Sequence, residues 1–168
     1  MSLARWTTRP PEEANLFNPA MCGLLLMEFV KEYQKAKLEA CPFALPFVAL
    51  PIALHGQTRK ALPGSTVTSL YTWRERHPDA LVGFAARARS LRPAVQEAIR
   101  FCIDREVLQI SDDGGLTPGR VGFSAGKKFE LTLTHDAADC VACARMLGRW
   151  FAKAGTTSTI LSGWGMKP

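Results

Sequence analysis

Apolar residues recur at helical spacing along most of the chain and predict a mainly helical protein. The first strong run follows Asn18 and Pro19, where an Asn cap and a proline at the first helical position predict a helix start. Residues 20–30 leave almost no polar face, so this half of the helix is expected to be buried centrally. The apolar stretch 42–54 is broken by prolines and predicts a short buried helix, because proline cannot donate to a strand ladder.

The middle of the chain predicts a polar loop followed by three helices. The loop covers 57–63, and the first two helices cover 66–77 and 80–90. The third is expected to begin with Pro93 in its first turn, where a missing N–H costs least. Apolar spacing places the following side chains toward the core: Val67, Leu70, Tyr71, Trp73, Leu81, Val82, Phe84 and Ala88.

A hairpin is predicted directly after the third helix. The β-branched run 107–110 favours a strand, and the sequence DDGG at 112–115 predicts the tight turn that reverses it. A helix that runs into a hairpin ends a winged helix, but it also occurs in other small α+β domains, and the sequence leaves both open. Further along, alternation over 129–133 predicts a strand with one buried face.

The last long helix, at 136–154, is the clearest in the chain. Residues with a 4-3-4-3 spacing predict a seam against another helix: Cys140, Ala144, Leu147, Phe151 and Ala154. A second row, at every fourth position, is basic: Arg145, Arg149 and Lys153. Because charged helix faces are usually solvated, a solvated face is the favoured interpretation, with partner contact as the alternative. Residues 156–160 are expected to add a short strand.

These elements predict an α+β fold, mainly helical, as a single compact domain over 12–168. The domain contains a winged-helix-like helix plus β-hairpin and a long C-terminal helix. Residues 1–11 are predicted to be a flexible N-terminal arm. With 168 residues, 47% of them hydrophobic, the chain can build a core without metal or disulfides. The five cysteines lie mostly in apolar runs and are therefore expected to be reduced and buried.

The net charge of +6 is concentrated in the middle of the chain. Residues 59–100 hold eight Lys/Arg against three Asp/Glu, whereas the flanking thirds are nearly balanced. This excess suits contact with nucleic acid or with an acidic protein face. The longest apolar region, 41–54, is shorter than the ~20 residues of a bilayer span, and no apolar signal core opens the chain. We expect a cytoplasmic protein without membrane contact.

Two short motifs raise the question of catalysis. The sequence GFSAG at 122–126 matches the G-x-S-x-G pattern of serine hydrolases, with His135 just downstream of Ser124. That motif needs a parallel sheet and a following helix, which the pattern here does not predict, so turn glycines are the better interpretation. The C-x-x-C at 140–143 lacks further zinc ligands and lies in an amphipathic helix, which favours burial.

No nucleotide-binding or metal pattern is recognisable in the chain. The sequence contains neither G-x-x-x-x-G-K-[ST] nor G-x-G-x-x-G, so we do not expect it to hydrolyse nucleotide. The three histidines are isolated from one another and are expected to cap helices or lie at the surface. We therefore expect no enzymatic activity, no metal and no cofactor.

Several strings across the chain resemble the middle component of bacterial three-component ABC ATPase systems, among them Lamassu-type antiphage defence. They are NLFNPA (15–20), LHGQTRKALP (54–63), ARSL (88–91), GRWFAKAG (148–155) and the terminal WGMKP (164–168). The resemblance implies a small accessory subunit beside two partners: an SMC/Rad50-like coiled-coil ATPase that senses DNA, and an effector, often a nuclease. By analogy with winged-helix subunits of SMC proteins, the helix and hairpin would dock protein rather than read bases.

The leading hypothesis is a non-catalytic adaptor between that ATPase and its effector. The alternative is a stand-alone winged-helix DNA-binding regulator, which requires four arginines of the basic middle to share one exposed surface. The predicted partner or DNA contacts are Arg59, Arg87, Arg89, Arg92, Arg100, Arg149, Trp150 and Trp164.

Overall fold

A computed structural model describes residue 4, residues 8–122 and residues 126–167. These residues form mostly helices and one two-stranded hairpin, which confirms the mainly helical α+β class. A 3₁₀ turn, Pro78–Leu81, lies between α5 and α6. The elements in chain order are α1 (Pro11–Leu16), α2 (Pro19–Lys37), α3 (Pro46–Leu54), α4 (Gly56–Ala61), α5 (Leu70–Arg76), α6 (Phe84–Asp104), β1 (Leu108–Ile110), β2 (Leu116–Pro118), α7 (Lys127–Glu130), α8 (His135–Lys153) and α9 (Thr157–Gly163).

Helix α2 lies at the centre of the core, as its apolar sequence predicts. The side chain of Asn18 accepts hydrogen bonds from the backbone N–H groups of Ala20 and Met21, so the predicted cap is present. Every residue from 22 to 30 is buried, and α2 packs against α3, α6 and α8. This central position explains why the helix has no polar face along its first half.

The predicted seam on α8 packs against α2. The ring of Phe151 meets Phe29 edge to face, with 5.9 Å between ring centroids. Gly148 allows the two backbones to approach closely, since a Cβ there would overlap the carbonyl oxygen of Phe29 and lie 3.0 Å from the Cβ of Glu32. The seam therefore packs against a helix of the same chain and not against a partner protein.

Helix α6 is longer than predicted because it continues through Pro93. The expected separate helix over 80–90 and the expected start at Pro93 are both wrong. One apolar stripe runs along the whole helix, and its buried residues are Phe84, Ala88, Leu91, Ala94, Val95, Ala98, Ile99 and Cys102. Burial of this stripe against α2 and α3 offsets the ~3 kcal/mol that an interior proline costs a helix.

The predicted hairpin follows α6. Strands β1 and β2 pair antiparallel, with Gln109 opposite Thr117. The turn between them has Gly114 at φ +80°, a conformation that favours glycine. Backbone hydrogen bonds of 2.9 and 2.7 Å join Cys41 to Leu116 and tie the hairpin to the segment before α3. This order of helix and hairpin fits both alternatives left open by the sequence.

Two predicted strands are helical. The alternation over 129–133 falls in α7 and the turn after it, where Leu131 is 86% exposed. Local hydrogen bonds replace a strand ladder there, because alternation over five residues does not exclude a helical turn. Residues 156–160 begin α9 instead of a strand, since the side chain of Thr156 accepts from the backbone N–H of Thr159 and caps the helix.

Most of the predicted loop at 57–63 is helical, because α4 covers Gly56–Ala61. Its polar sequence has no apolar periodicity that would predict a helix. The side chain of His55 caps this helix by accepting from the backbone N–H of Thr58. Three side chains predicted to face inward are exposed: Val67 (90%), Tyr71 (64%) and Val82 (76%). Because α5 begins only at Leu70, after Ser69 caps it, Val67 lies outside the helical periodicity that the prediction assumed.

The five cysteines are free thiols and buried, as predicted. Within the predicted N-terminal arm, Arg9 is 8% exposed, and its guanidinium donates to both carboxylate oxygens of Glu97 at 2.8 and 2.6 Å. Residues 1–3 and 5–7 lie outside the described residues, so the flexible arm stays a prediction. No helix of the described chain is long and apolar enough to cross a bilayer.

Candidate interaction surfaces

Three arginines form an exposed row on α6. Arg89, Arg92 and Arg100 are all exposed, and among the described residues none makes an ion pair. At 3.6 residues per turn they lie within about 80° of one another around the helix axis. We call Arg89, Arg92 and Arg100 the α6 arginine row. It presents three positive charges in one direction.

Arg87 does not belong to this row. It is two positions before Arg89, which turns its side chain about 160° away around the helix. Its Nη2 donates to Thr58 Oγ1 at 3.1 Å, and its guanidinium lies 5.5 Å from the centre of the Phe84 ring. The expectation that four arginines share one exposed surface is therefore wrong for Arg87.

The basic row of α8 is joined to α2 by ion pairs. Arg145 donates to Glu28 at 2.6 Å and to Glu130 at 2.5 Å, while Arg149 donates to Glu32 at 2.7 Å. Lys153, at the end of the row, donates to Thr66 Oγ1 at 3.1 Å. Arg149 and Lys153 are exposed, as expected for a solvated face, but the row is not only solvated, because two of its three cations pair with glutamates of α2.

The glutamates of α2 have different environments in these pairs. Glu28 is 1% exposed and lies within the core, whereas the side chain of Glu32 is 15% exposed. Burial alone would raise the pKa of Glu32, but hydrogen bonds from Arg149 and Lys35 outweigh it and lower the pKa. The hydrogen bond that Arg145 donates to Glu28 raises the pKa of Arg145 and outweighs the effect of burial, which lowers it. The interactions therefore favour the charged forms of Glu32 and Arg145.

Arg59 is held against its own chain. Its Nη1 donates to the carbonyl oxygen of Ala53 at 2.6 Å, and its Nη2 pairs with Asp136 at the start of α8. The side chain is 9% exposed. A partner that contacts Arg59 must therefore compete with Asp136 for the guanidinium.

Trp150 and Trp164 lie in the core. Trp150 is 1% exposed, and its Nε1 donates to the carbonyl oxygen of Thr68 at 2.7 Å. Trp164 is 0% exposed and packs between Trp73 and Phe84, with ring centroids 4.9 and 4.7 Å away. The two side chains fix the end of α8 and the C-terminal α9 rather than meeting solvent.

A groove of about 720 Å³ runs between α5, α8 and α9. The exposed side chains of Val67 and Tyr71 flank it, and Arg74 and Lys153 supply its positive charge. Sequence reasoning missed it because both apolar residues were assigned to the core. The signal that could have revealed it is Ser69, whose cap moves the start of α5 past Val67.

The motifs considered for catalysis are placed as follows. Cys140 and Cys143 are buried in α8, and burial raises the pKa of both thiols, to about 12 for Cys143. Among the described residues, no group of three or more His, Cys, Asp and Glu side chains is arranged to hold a metal ion. Ser124 lies outside the described residues, so its distance to His135 is untested.

The comparison with protein families decides the assignment. A family model described as "ABC-three component (ABC-3C) system Middle Component 3" matches residues 6–168. The chain belongs to this family. No curated protein and no solved structure matches it. The resemblance drawn from short sequence strings is thus confirmed at the level of the ABC-3C middle component. The α6 arginine row and the groove are features of this middle component.

Proposed function

We propose that this middle component is a non-catalytic adaptor that connects an SMC/Rad50-like ABC ATPase to an effector, a nuclease, in a Lamassu-type antiphage system of the cytoplasm. The observation that carries the proposal is the family match over residues 6–168. A middle component belongs to a system with two further components, so binding to them is its expected activity. In this role DNA sensing belongs to the ATPase, and the adaptor transmits the sensed state to the effector.

The α6 arginine row supports a binding role on this face. Arg145 and Arg149 are neutralised by glutamates of the same chain, whereas Arg89, Arg92 and Arg100 have no ion pair among the described residues. An acidic face of the ATPase head, or the phosphates of DNA held by that ATPase, would neutralise the row. We assign the row to the partner interface, with the exposed Arg149 as a second contact.

Arg59 is a conditional contact in this proposal. Its pair with Asp136 links α4 to the first turn of α8, so a partner carboxylate that captures Arg59 would separate the two elements. Trp150 and Trp164 would not contact a partner directly. They would support the interface by packing α5, α8 and α9 together. Arg87 is left out of this interface because it faces the other side of α6.

Binding to the ATPase tests this interface. Coexpression with the neighbouring genes and purification through a tag on the ATPase should recover the wild-type chain. Charge reversal of the row, R89E/R92E/R100E, should reduce recovery strongly, since like charges replace complementary ones. The control K60E reverses one exposed charge on α4 and should leave recovery unchanged. Wild-type chain that never copurifies with the ATPase contradicts the proposal.

A second candidate function is a stand-alone DNA-binding regulator. The observation that favours it is also the α6 arginine row, because three cations on one helix face suit a phosphate backbone. This candidate predicts duplex binding by the isolated chain, with affinity that falls steeply as salt rises; three neutralised phosphates give a slope of about −2.7 in log K against log salt. Absence of binding at low salt excludes it and leaves the adaptor.

A further inference from the structure

A second cavity, of about 360 Å³, lies between α4, the 3₁₀ turn and the first turns of α6. Its volume falls within the usual range of small-molecule pockets. The adaptor proposal does not use it. The polar and charged residues in its lining are His55, Gln57, Thr58, Arg76, His77, Asp79 and Arg87.

Arg87 is the unusual group in this cavity. One guanidinium nitrogen donates to Thr58, but Nε is buried and has no acceptor among the described residues. No carboxylate of the described chain forms an ion pair with it, and burial lowers the pKa of its guanidinium. Partly buried cations are normally paired with a carboxylate, because an unpaired charge is poorly compensated away from water. Arg87 therefore places in the cavity lining a positive charge that no carboxylate of the described chain pairs with.

His55 adds a second donor. Its Nδ1 accepts from the backbone N–H of Thr58 at 3.3 Å and lies 2.7 Å from Thr58 Oγ1. Because a backbone N–H can only donate, Nδ1 is the acceptor and the ring proton of the neutral form is on Nε2. Burial lowers the pKa of His55, and the charges of Arg87 and Arg59 lower it further. Neutral His55 thus retains one N–H beyond its capping bond.

The hydroxyl of Thr58 connects these two groups. Its Oγ1 accepts from Arg87 and lies within hydrogen-bond distance of His55 Nδ1, which accepts its proton. Thr58 is 2% exposed, so the residue that holds Arg87 and His55 is itself buried in the protein. The hydrogen bonds orient the guanidinium and the imidazole before any ligand enters.

We propose that this cavity binds the phosphate group of a small molecule, with Arg87 as the principal ligand-binding residue. A planar guanidinium with neighbouring N–H donors is the arrangement that binds phosphate oxygens best. Asp79 also lines the cavity, but Arg76 and Arg87 together leave the lining positive. The phosphate is either free or esterified to a nucleoside. This inference is independent of the adaptor role.

The test uses the full chain and observes Arg87 directly. The side-chain Nε–Hε resonance of Arg87 is followed by NMR during titration with inorganic phosphate, AMP or sodium acetate at constant ionic strength. Phosphate or AMP should shift this resonance in a saturable way, and acetate should have a much smaller effect. Tighter binding of AMP identifies a nucleotide site, whereas equal or tighter binding of inorganic phosphate identifies a site for the free ion.

Three variants complete the test, with phosphate affinity measured by isothermal titration calorimetry because R87M lacks the Arg87 resonance. R87M keeps the apolar stem beside Phe84 and should weaken binding at least about tenfold, whereas R120M, at an exposed arginine outside the cavity lining, should bind like wild type. D79N removes the one carboxylate of the lining and should tighten binding about two- to threefold; because Asp79 is exposed, this variant is expected to fold. An Arg87 resonance that no phosphate compound shifts, or an equal response to acetate, overturns the proposal.

Discussion

At the residue scale, Glu28 shows how an ion pair can stabilise this core. Its carboxylate is 1% exposed and pairs with Arg145, which is reached from α8. Replacing Arg145 with Met removes that cation while keeping much of the apolar stem. We expect a loss of about 3 kcal/mol in the free energy of unfolding, because the buried carboxylate of Glu28 loses its ion pair with Arg145.

Urea denaturation measures this loss, and R120M provides the control. Arg120 pairs with Glu106, but both side chains are largely exposed, so its replacement should cost less than about 1 kcal/mol. If R145M and R120M lose the same free energy of unfolding, the buried pair of Glu28 and Arg145 stabilises the protein no more than an exposed ion pair does.

Gly148 is a second residue whose role can be tested. Alanine is a better helix former by about 1 kcal/mol, but here its methyl group would overlap the carbonyl oxygen of Phe29. We expect G148A to destabilise the protein by about 1–3 kcal/mol, since α8 must move away from α2. The control G64A adds a methyl group with nothing within 4 Å. A G148A protein as stable as wild type would contradict the close packing of these helices.

The residue-scale chemistry was only partly predictable. The spacing of arginines on α6 and α8 is visible in the sequence, but their pairing is not. Glu28 and Arg145 are 117 positions apart, and only the packing of α8 on α2 brings them together. Nothing local therefore distinguishes Arg149, which has a partner, from Arg92, which has none among the described residues.

At the element scale, the contact between α2 and α8 should depend on pH through Glu32. Its pKa in the folded state is lowered from the usual 4.5, which means that folding favours the charged form. The stabilisation is fully present above about pH 4.5 and is lost as pH falls through the folded-state pKa. We expect E32Q to lose less stability than wild type between pH 7 and pH 3.

Denaturation at a series of pH values measures this difference. E39Q is the matched control, because Glu39 is exposed just after α2 and makes no ion pair within the described chain. Wild-type and E32Q curves that fall in parallel on acidification would show that the pair with Arg149 does not couple protonation to folding.

Elements with strong local signals were predictable, and short ones were not. Helix α2 has an Asn cap and a long apolar run, and the hairpin has a turn that requires glycine. Helix α4 is six residues long and is capped by a histidine, so neither its length nor its composition distinguishes it from a loop. Alternation over 129–133 was misleading, because a strand there would need a partner strand, whereas these residues make local helical and turn hydrogen bonds in the described chain.

At the scale of the whole molecule, positive charge is concentrated on one exposed helix face. The excess positive charge of residues 59–100 lies in different places in the fold. Arg59 pairs with Asp136, Arg87 lines a cavity, and the α6 arginine row is exposed to solvent. The α6 arginine row and this cavity are therefore separate basic features: the cavity is sized for a small ligand, and the row is an open surface sized for a macromolecule. This separation allows R87M and the R89E/R92E/R100E variant to be tested independently.

The central claim is that the chain bridges the ATPase and the effector. The most direct measurement is the mass of the assembly by size-exclusion chromatography with light scattering, with and without this chain. We predict that ATPase and effector elute together when the middle component is present, and separately when it is omitted. Elution of ATPase and effector as the same complex in its absence would contradict an adaptor role.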